Sequence, residues 1–327
     1  MRFVKARRPD GPRLGVLGAD GSTVSIARAG DRLEDYLGDG FSEALHALGE
    51  SILAAPSGQY ELSGLDLVKP VSPSSMRDFM VFEEHVVPSW RASGLRRGPD
   101  VWYEQPTGYF SNAANLLGPR DDIEIPGGSR ALDFETEVGA VVGRAARSIR
   151  PEHAGGHIAG YVVLCDWSAR DLQVREMDVH LGPFKGKDFG SSIGPLFVTG
   201  DELEGARTAT GFDLEMVSMV NGRVYGRDRW ASATWSFEEL LSYASWNSAV
   251  EAGALLGSGT CQGGCILELS LRHGGDQFPW LQPGDEVSLS VELLGDITAT
   301  VRPPARCAWP GSRAVFGAEP ARAQPAL

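Results

Sequence analysis

The sequence predicts a mainly β fold with some helix: a small N-terminal β-rich domain over residues 1–70 and a larger domain over 71–327. Three observations carry this. Short runs that alternate apolar and polar residues recur, and several are joined by Asp-Gly or Asn-Gly, strong hairpin signals. Strands do not alternate regularly with crossover helices, which argues against a doubly wound nucleotide fold. The 327 residues suffice for one large core and a small one, and KPVSPSS (69–75) reads as a linker between them.

Taken in order, RLGVLGADGSTVSI makes two strands around Asp20-Gly21. RLEDYL and FSEALHALG follow as short helical pieces. DLEMVSMVNGRVYG is a hairpin turning at Asn221-Gly222. SFEELLSYAS is a helix capped by Ser236 with Glu239 three residues on, and Phe237, Leu240, Leu241 and Ala244 form its apolar face. PGDEVSLSVELLGDITATV alternates Val287, Leu289, Val291 and Leu293, is expected to turn at Gly295-Asp296, and resumes with Ile297, Ala299 and Val301. The final GAEPARAQPAL reads as a loose tail.

Hydrophobic residues make up 42% and charged residues 22%, as in a globular protein. The net charge of −13 gives no footprint for nucleic acid, and an acidic ligand would need a metal or local arginines. Cys165, Cys261, Cys265 and Cys307 form no C-x-x-C pair, which fits a reducing cytoplasm. MRFVKARRPDGP has no apolar core of a secretory signal, and no run approaches the ~18 apolar residues of a membrane helix.

The chemistry concentrates in ALDFETEVGAVVGR, residues 131–144. On a strand, Asp133, Glu135 and Glu137 share one face at roughly 7 Å intervals, with Phe134, Thr136 and Val138 on the other. The apolar continuation sends the strand into the core, so Glu137 is expected to be desolvated. Buried like charges raise one another's pKa unless a cation compensates, which points to a hard divalent ion on carboxylate oxygens. The spacing alone also allows a solvated edge. GYVVLCDWSARDLQVREM (160–177) then runs as an apolar strand, Asp166 and a helix. Ser168 and Asp171 have capping-box spacing, and Arg170 and Gln173 fall on the first turns. LGPFKGKDFGSSIGP (181–195) mixes glycine, lysine and hydroxyls in a loop that a ligand could approach closely.

Together these segments resemble the fumarylacetoacetate hydrolase family over roughly residues 71 to 317. The resemblance implies a mixed β-sandwich/roll catalytic domain. LDFETE is similar to the family's metal-binding strand, which makes Glu135 and Glu137 ligands. CDWSARDLQ resembles a segment whose first aspartate, here Asp166, binds the same metal, with Arg170 and Gln173 in the site. GPFKGKDFG implies an active-site Lys187. RDFMVFEEH matches D-F-x-x-x-x-x-H, which implies Asp78 as fourth ligand and His85 as base. GSGTCQGGCILEL resembles a glycine-rich segment that supplies Thr260 and Glu268, the latter the partner of the histidine. TGYF implies a substrate-contacting Tyr109. Met80, Cys165 and the short CQGGC depart from the pattern, and Met80 stands where the eukaryotic enzymes have a tyrosine.

The implied activity is hydrolytic C–C cleavage of an acylpyruvate or similar β-diketo acid, in a homodimer with Mg²⁺, or else Mn²⁺ or Ca²⁺. Decarboxylation, hydration or isomerisation of 2-oxo acids on the same carboxylates are the alternatives, and a non-catalytic binding protein is a further one. GSSIG (190–194) fits a serine-nucleophile elbow at Ser192, but Pro195 and LFVTG follow as a strand instead of the helix that motif needs. His153 and His157 lack the glutamate of a zinc helix and are read as surface residues.

Overall fold

The structure, a computed structural model, describes residues 1–28, 30–92 and 100–304. Cys307 and the tail expected at 317–327 lie outside the described residues.

The principal sheet runs in the order Gly58–Glu61, Thr23–Ile26, Arg13–Leu17, Arg2–Ala6, Phe197–Val198, Ile158–Asp166, Thr136–Val142, Leu255–Gly257, Met76–Phe79, Gly108–Ser111. Its N-terminal strands join the rest through Arg2–Ala6, which pairs Phe3 with Phe197. One continuous ladder therefore spans the expected domain boundary, and the division near residue 70 stands as a proposal about folding units. A second sheet orders Arg223–Arg229, Glu215–Val220, Glu286–Val291, Gly295–Arg302 and Ile123–Glu124.

Strand alternation distributes the core. Val138, Ala140, Val142, Tyr161 and Val163 form one apolar cluster with Met216, Leu289 and Ile297 of the second sheet. Val141, Val162, Leu164 and Leu255 form another with Leu45, Leu48 and Ile52 of the helix Phe41–Ala54. The central strands are thus buried on both faces, so any polar group on them is removed from water.

The local signals translate as their chemistry requires. Asn221 and Gly222 both have positive φ, 51° and 75°, and make the tight turn of their hairpin. Ser236 and Glu239 complete a capping box on the helix Phe237–Ser245. Three expectations need correction. The last hairpin turns at residues 292–294, not at Gly295-Asp296: Gly295 already pairs with Val291, while Leu293 takes φ 64° and is 48% exposed. Ser168 does not cap the helix Arg170–Met177; it pairs with Asp133, and its hydroxyl donates to the Asp166 carbonyl. Asp171 instead accepts from Ser129 Oγ and Arg130 N. His157 is buried, bonded to the carbonyls of Arg144 and Ala145, whereas His153 is exposed as expected.

Tyr161, Phe212 and Phe237 pack edge-on against Trp230 where the helix Phe237–Ser245 meets the sheet, with Trp230 5.0 Å from both Tyr161 and Phe212 between ring centroids. Trp230→Ala should cost about 3–5 kcal/mol of stability, read as a lowered denaturant midpoint. A change within about 0.5 kcal/mol would show that the cluster does not hold the helix to the sheet.

Candidate active site

The expected strand at 131–144 is interrupted. Leu132–Asp133 pairs with Ser168–Ala169, and Thr136–Val142 pairs with Ile158–Asp166, leaving residues 134 and 135 between them. Downstream of that break the ladder sets Gly139 opposite Gly257 and Gly257 opposite Asp78, so Glu137 and Asp78 face the same space. Glu135 sits at the ladder's end, its carbonyl accepting from Asp166 N at 3.3 Å. Asp78, Glu135 and Glu137 each offer an oxygen within 4.8 Å of the others, and all three residues are buried. Asp166 stands beside this trio, 2.6 Å from Lys187 Nζ.

Two glycines that sequence reasoning did not single out make room for this. A Cβ on Gly257 would lie 2.3 Å from Asp78 Oδ1 and 3.0 Å from Glu137 Oε2. Gly259 has φ +81°, a Cβ there would meet the Phe79 carbonyl at 2.2 Å, and its N–H donates to Glu137 Oε2 at 3.2 Å. The available signal was LLGSGT, glycines interrupting an apolar strand.

Two cations enter the cluster. Lys187 Nζ donates to Glu135 Oε2 at 2.5 Å and to Asp166 Oδ2. Arg170 spreads its fork over Asp133 Oδ2 (2.8 Å from Nε), Glu135 Oε1 (2.8 Å from Nη2) and Gln173 Oε1 (2.9 Å from Nη1). The Tyr109 hydroxyl lies against Asp78 Oδ2, at 3.0 Å, and Asp166 Oδ2. Thr260 is buried on the segment that follows Leu255–Gly257.

The electrostatics differ across the cluster. Burial, with Asp166 adding to it, pushes the Asp78 carboxyl up to about 7. Burial, Asp78 and Glu135 push Glu137 well above the carboxylate range. Burial also raises Asp166 against the pull of Lys187. At Glu135 burial is outweighed by Lys187 and Arg170, which hold it well below the usual range. Burial pushes the Tyr109 hydroxyl well up, with Asp166 and Asp78 reinforcing it.

This donor set fits a hard divalent cation. Asp78, Asp133, Glu135, Glu137 and Asp166 are five buried carboxylates against the two buried cations Arg170 and Lys187. The imbalance raises the Asp78 and Glu137 carboxyls, and a cation among these oxygens would relieve it. Glu137 Oε1 is buried without a hydrogen-bond partner, as an oxygen reserved for a ligand would be.

A second constellation stands beside the first. His85, on the helix Glu83–Ala92, has Nδ1 2.9 Å from Glu268 Oε2 on the helix Ile266–His273. Glu268 is fully buried, accepts from Gly263 N at 3.0 Å, and has Arg272 Nε 2.9 Å from its other oxygen. Asp133 anchors this helix: its carboxylate accepts from Ile266 N at 2.7 Å and Leu267 N at 3.0 Å. It is fully buried, so it does not face solvent. Ser192 lies on the strand Ser191–Ile193 with its hydroxyl accepting from Trp167 Nε1, and no helix follows it, so the elbow geometry is absent there. A cavity of about 700 Å³ beside the helix Phe41–Ala54 has among its lining His46 against Asp201 and Arg207 paired with Glu204.

Two outcomes test this reading. In chelator, the raised Asp78 carboxyl stabilises the fold while it stays protonated; that contribution is whole below 3.8 and is lost as pH climbs through about 7. Across that window the melting temperature of metal-free protein should fall with rising pH, and Mg²⁺ or Mn²⁺ should recover more of it on the alkaline side. A metal-induced gain independent of pH would remove Asp78 and Glu137 from the ligand set. Separately, Asp133→Asn should lower stability by about 3–5 kcal/mol yet keep bound metal, because it strands Arg170 and the helix amides. Glu135→Gln should lose metal in the same dialysis assay, and equal metal loss in both would refute the division of roles.

Residues 79–302 match the family described as fumarylacetoacetate (FAA) hydrolase, C-terminal. Fumarylacetoacetase from Arabidopsis thaliana is 29% identical over 296 residues, covering 72% of this chain and 69% of that protein. The structure of fumarylacetoacetate hydrolase from psychrophilic Exiguobacterium antarcticum aligns with a TM-score of 0.70 at 22% identity, covering 93% of this chain and 99% of that one. That of 5-carboxymethyl-2-hydroxymuconate delta-isomerase from Mycobacterium smegmatis aligns with a TM-score of 0.65 at 21% identity, over 93% and 100%. These structures share the fold, and the family match takes in every residue of the cluster except Asp78, which lies one position before it: the chain belongs to the fumarylacetoacetate hydrolase family.

Proposed function

We propose that this enzyme hydrolyses a C–C bond in an acylpyruvate or related β-diketo acid, with Asp78, Glu135, Glu137 and Asp166 holding a divalent cation, magnesium first. When bound, that ion supplies Lewis-acid polarisation of the substrate's carbonyl oxygens. The observation that carries the reading is the 2.9 Å contact of His85 Nδ1 with Glu268 Oε2, next to the carboxylates. With Nδ1–H donating to Glu268, Nε2 is the free base and takes a proton from water. Glu268 fixes that tautomer and stabilises the imidazolium that forms. The proton on Nε2 is then available to the carbon released by cleavage. Lys187 supplies positive charge against developing oxyanions, Gln173 and Arg170 set the position of Glu135, and Tyr109 and Thr260 contact substrate. The fumarylacetoacetase relative supports the substrate class, and the isomerase neighbour marks the alternative use of the same centre.

A homodimer in a reducing cytoplasm belongs to the same proposal; Cys165, Cys261 and Cys265 are free and buried, as suits that compartment. Among the described residues, no helix is long and apolar enough to cross a membrane.

The deciding experiment is a metal-supplemented assay on acylpyruvates, fumarylacetoacetate and oxaloacetate. His85→Ala should lower kcat for cleavage by about 10²–10⁴. Full turnover in that variant would remove His85 as base. CO₂ release or enol–keto exchange without cleavage by wild-type protein would replace hydrolysis with decarboxylation or isomerisation.

A further inference from the structure

Cys265 is the residue that the proposed chemistry does not use, yet it sits against the base. Cys265 Sγ is 3.9 Å from His85 Nδ1, which is itself 2.9 Å from Glu268 Oε2. Thiol, imidazole and carboxylate each offer an atom within 4.8 Å of the others, and all three residues are buried. We propose that Cys265, His85 and Glu268 form a second metal site, selective for zinc and similar borderline ions, whose occupancy silences His85.

The geometry suits such an ion. Zinc held about 2.3 Å from sulphur and about 2.0 Å from nitrogen or oxygen keeps tetrahedral ligands roughly 3.3–3.6 Å apart. The observed 3.9 and 2.9 Å therefore need shifts of only about half an ångström. One thiolate and one carboxylate neutralise a divalent ion without further groups. Arg272 lies on the far oxygen of Glu268, Oε1, while Oε2 accepts from Gly263 N at 3.0 Å and turns its other lone pair to the ion in place of His85 Nδ1–H. The ligand chemistry separates this site from its neighbour: the carboxylate trio offers only oxygen, which favours Mg²⁺, Mn²⁺ or Ca²⁺, whereas sulphur with imidazole favours Zn²⁺ or Co²⁺.

The proton balance gives the consequence. On binding, the Cys265 thiol releases its proton to solvent. The proton on His85 Nδ1 moves to Nε2 as Nδ1 takes the metal, and an imidazole ligated at Nδ1 keeps it there. The nitrogen that faces the substrate then has no lone pair for water. The binding claim rests on the three side chains alone; only the loss of turnover rests on His85 as the base.

The test uses full-length protein saturated with Mg²⁺. Equilibrium dialysis against Zn²⁺ should give one zinc per chain, and Cys265→Ser should weaken it at least about tenfold, since loss of even an outer partner costs that much. Serine keeps the helix cap that Cys265 Sγ now makes to Glu268 N at 3.4 Å, so the variant should fold. Co²⁺ in place of Zn²⁺ should show a near-ultraviolet thiolate-to-cobalt band in wild type and in Cys261→Ser, and none in Cys265→Ser. Wild-type protein that holds Co²⁺ without that band overturns the proposal, whatever the variant does. So does a Cys265→Ser protein that binds zinc as tightly as wild type. These readouts stand apart from the reaction, so a failure of the hydrolase reading leaves them unchanged.

Discussion

The site depends on one guanidinium. Arg170 is buried between Asp133 and Glu135, 2.8 Å from each, and Gln173 accepts its remaining edge. Removing such a charge from water is expensive, and the bidentate partners offset the cost only if both are fixed. Fixing them organises three elements at once. Asp133 holds the start of the helix Ile266–His273, Glu135 ends the ladder of Thr136–Val142, and Arg170 begins its own helix. The same contacts that satisfy the arginine therefore aim Glu268 at His85 from one side and Glu135 at the carboxylate cluster from the other.

Within that frame the two halves of the site have opposite charge logic. Around Glu135 the cations win and hold the carboxyl well below the usual range. Around Asp78 and Glu137 burial and mutual repulsion win and push both carboxyls up. Lys187 marks the border, bonded to Glu135 and Asp166. A cation at this centre would relieve the repulsion at Asp78 and Glu137, and on Glu135 and Asp166 it would have to share oxygens already bonded to Lys187 and Arg170.

Much of this was legible in the chain because it was local. The Ser236–Glu239 box, the Asn221-Gly222 turn and the alternation of 287–291 each carry their own physical cause within a few residues. The D-x-E-x-E run announced desolvated carboxylates for the same reason, since valines follow at once. What was not legible was long-range. Whether Ser168 caps a helix or pairs with Asp133 is decided by a strand 35 residues upstream. His157 looked like surface until the Arg144 and Ala145 carbonyls closed over it. Gly257 is required only because Asp78 arrives beside it from 179 positions away, through a parallel pairing that no local pattern encodes.

The same reasoning bears on which reaction the site suits. Metal-assisted decarboxylation of a 2-oxo acid breaks its bond without a general base, so it makes no demand on His85. Isomerisation needs one group that removes a proton and returns it nearby. Hydrolysis needs a proton taken from water and then given to carbon, both by a base whose other nitrogen is tied down. Here Nδ1 is tied to a fully buried carboxylate that is itself held by Gly263 and Arg272. Burying Glu268 gives up hydration that Gly263, Arg272 and His85 must offset together, a cost with no return in a reaction that moves no proton. The dyad thus suits the proton-moving chemistries, hydrolysis and isomerisation, rather than decarboxylation.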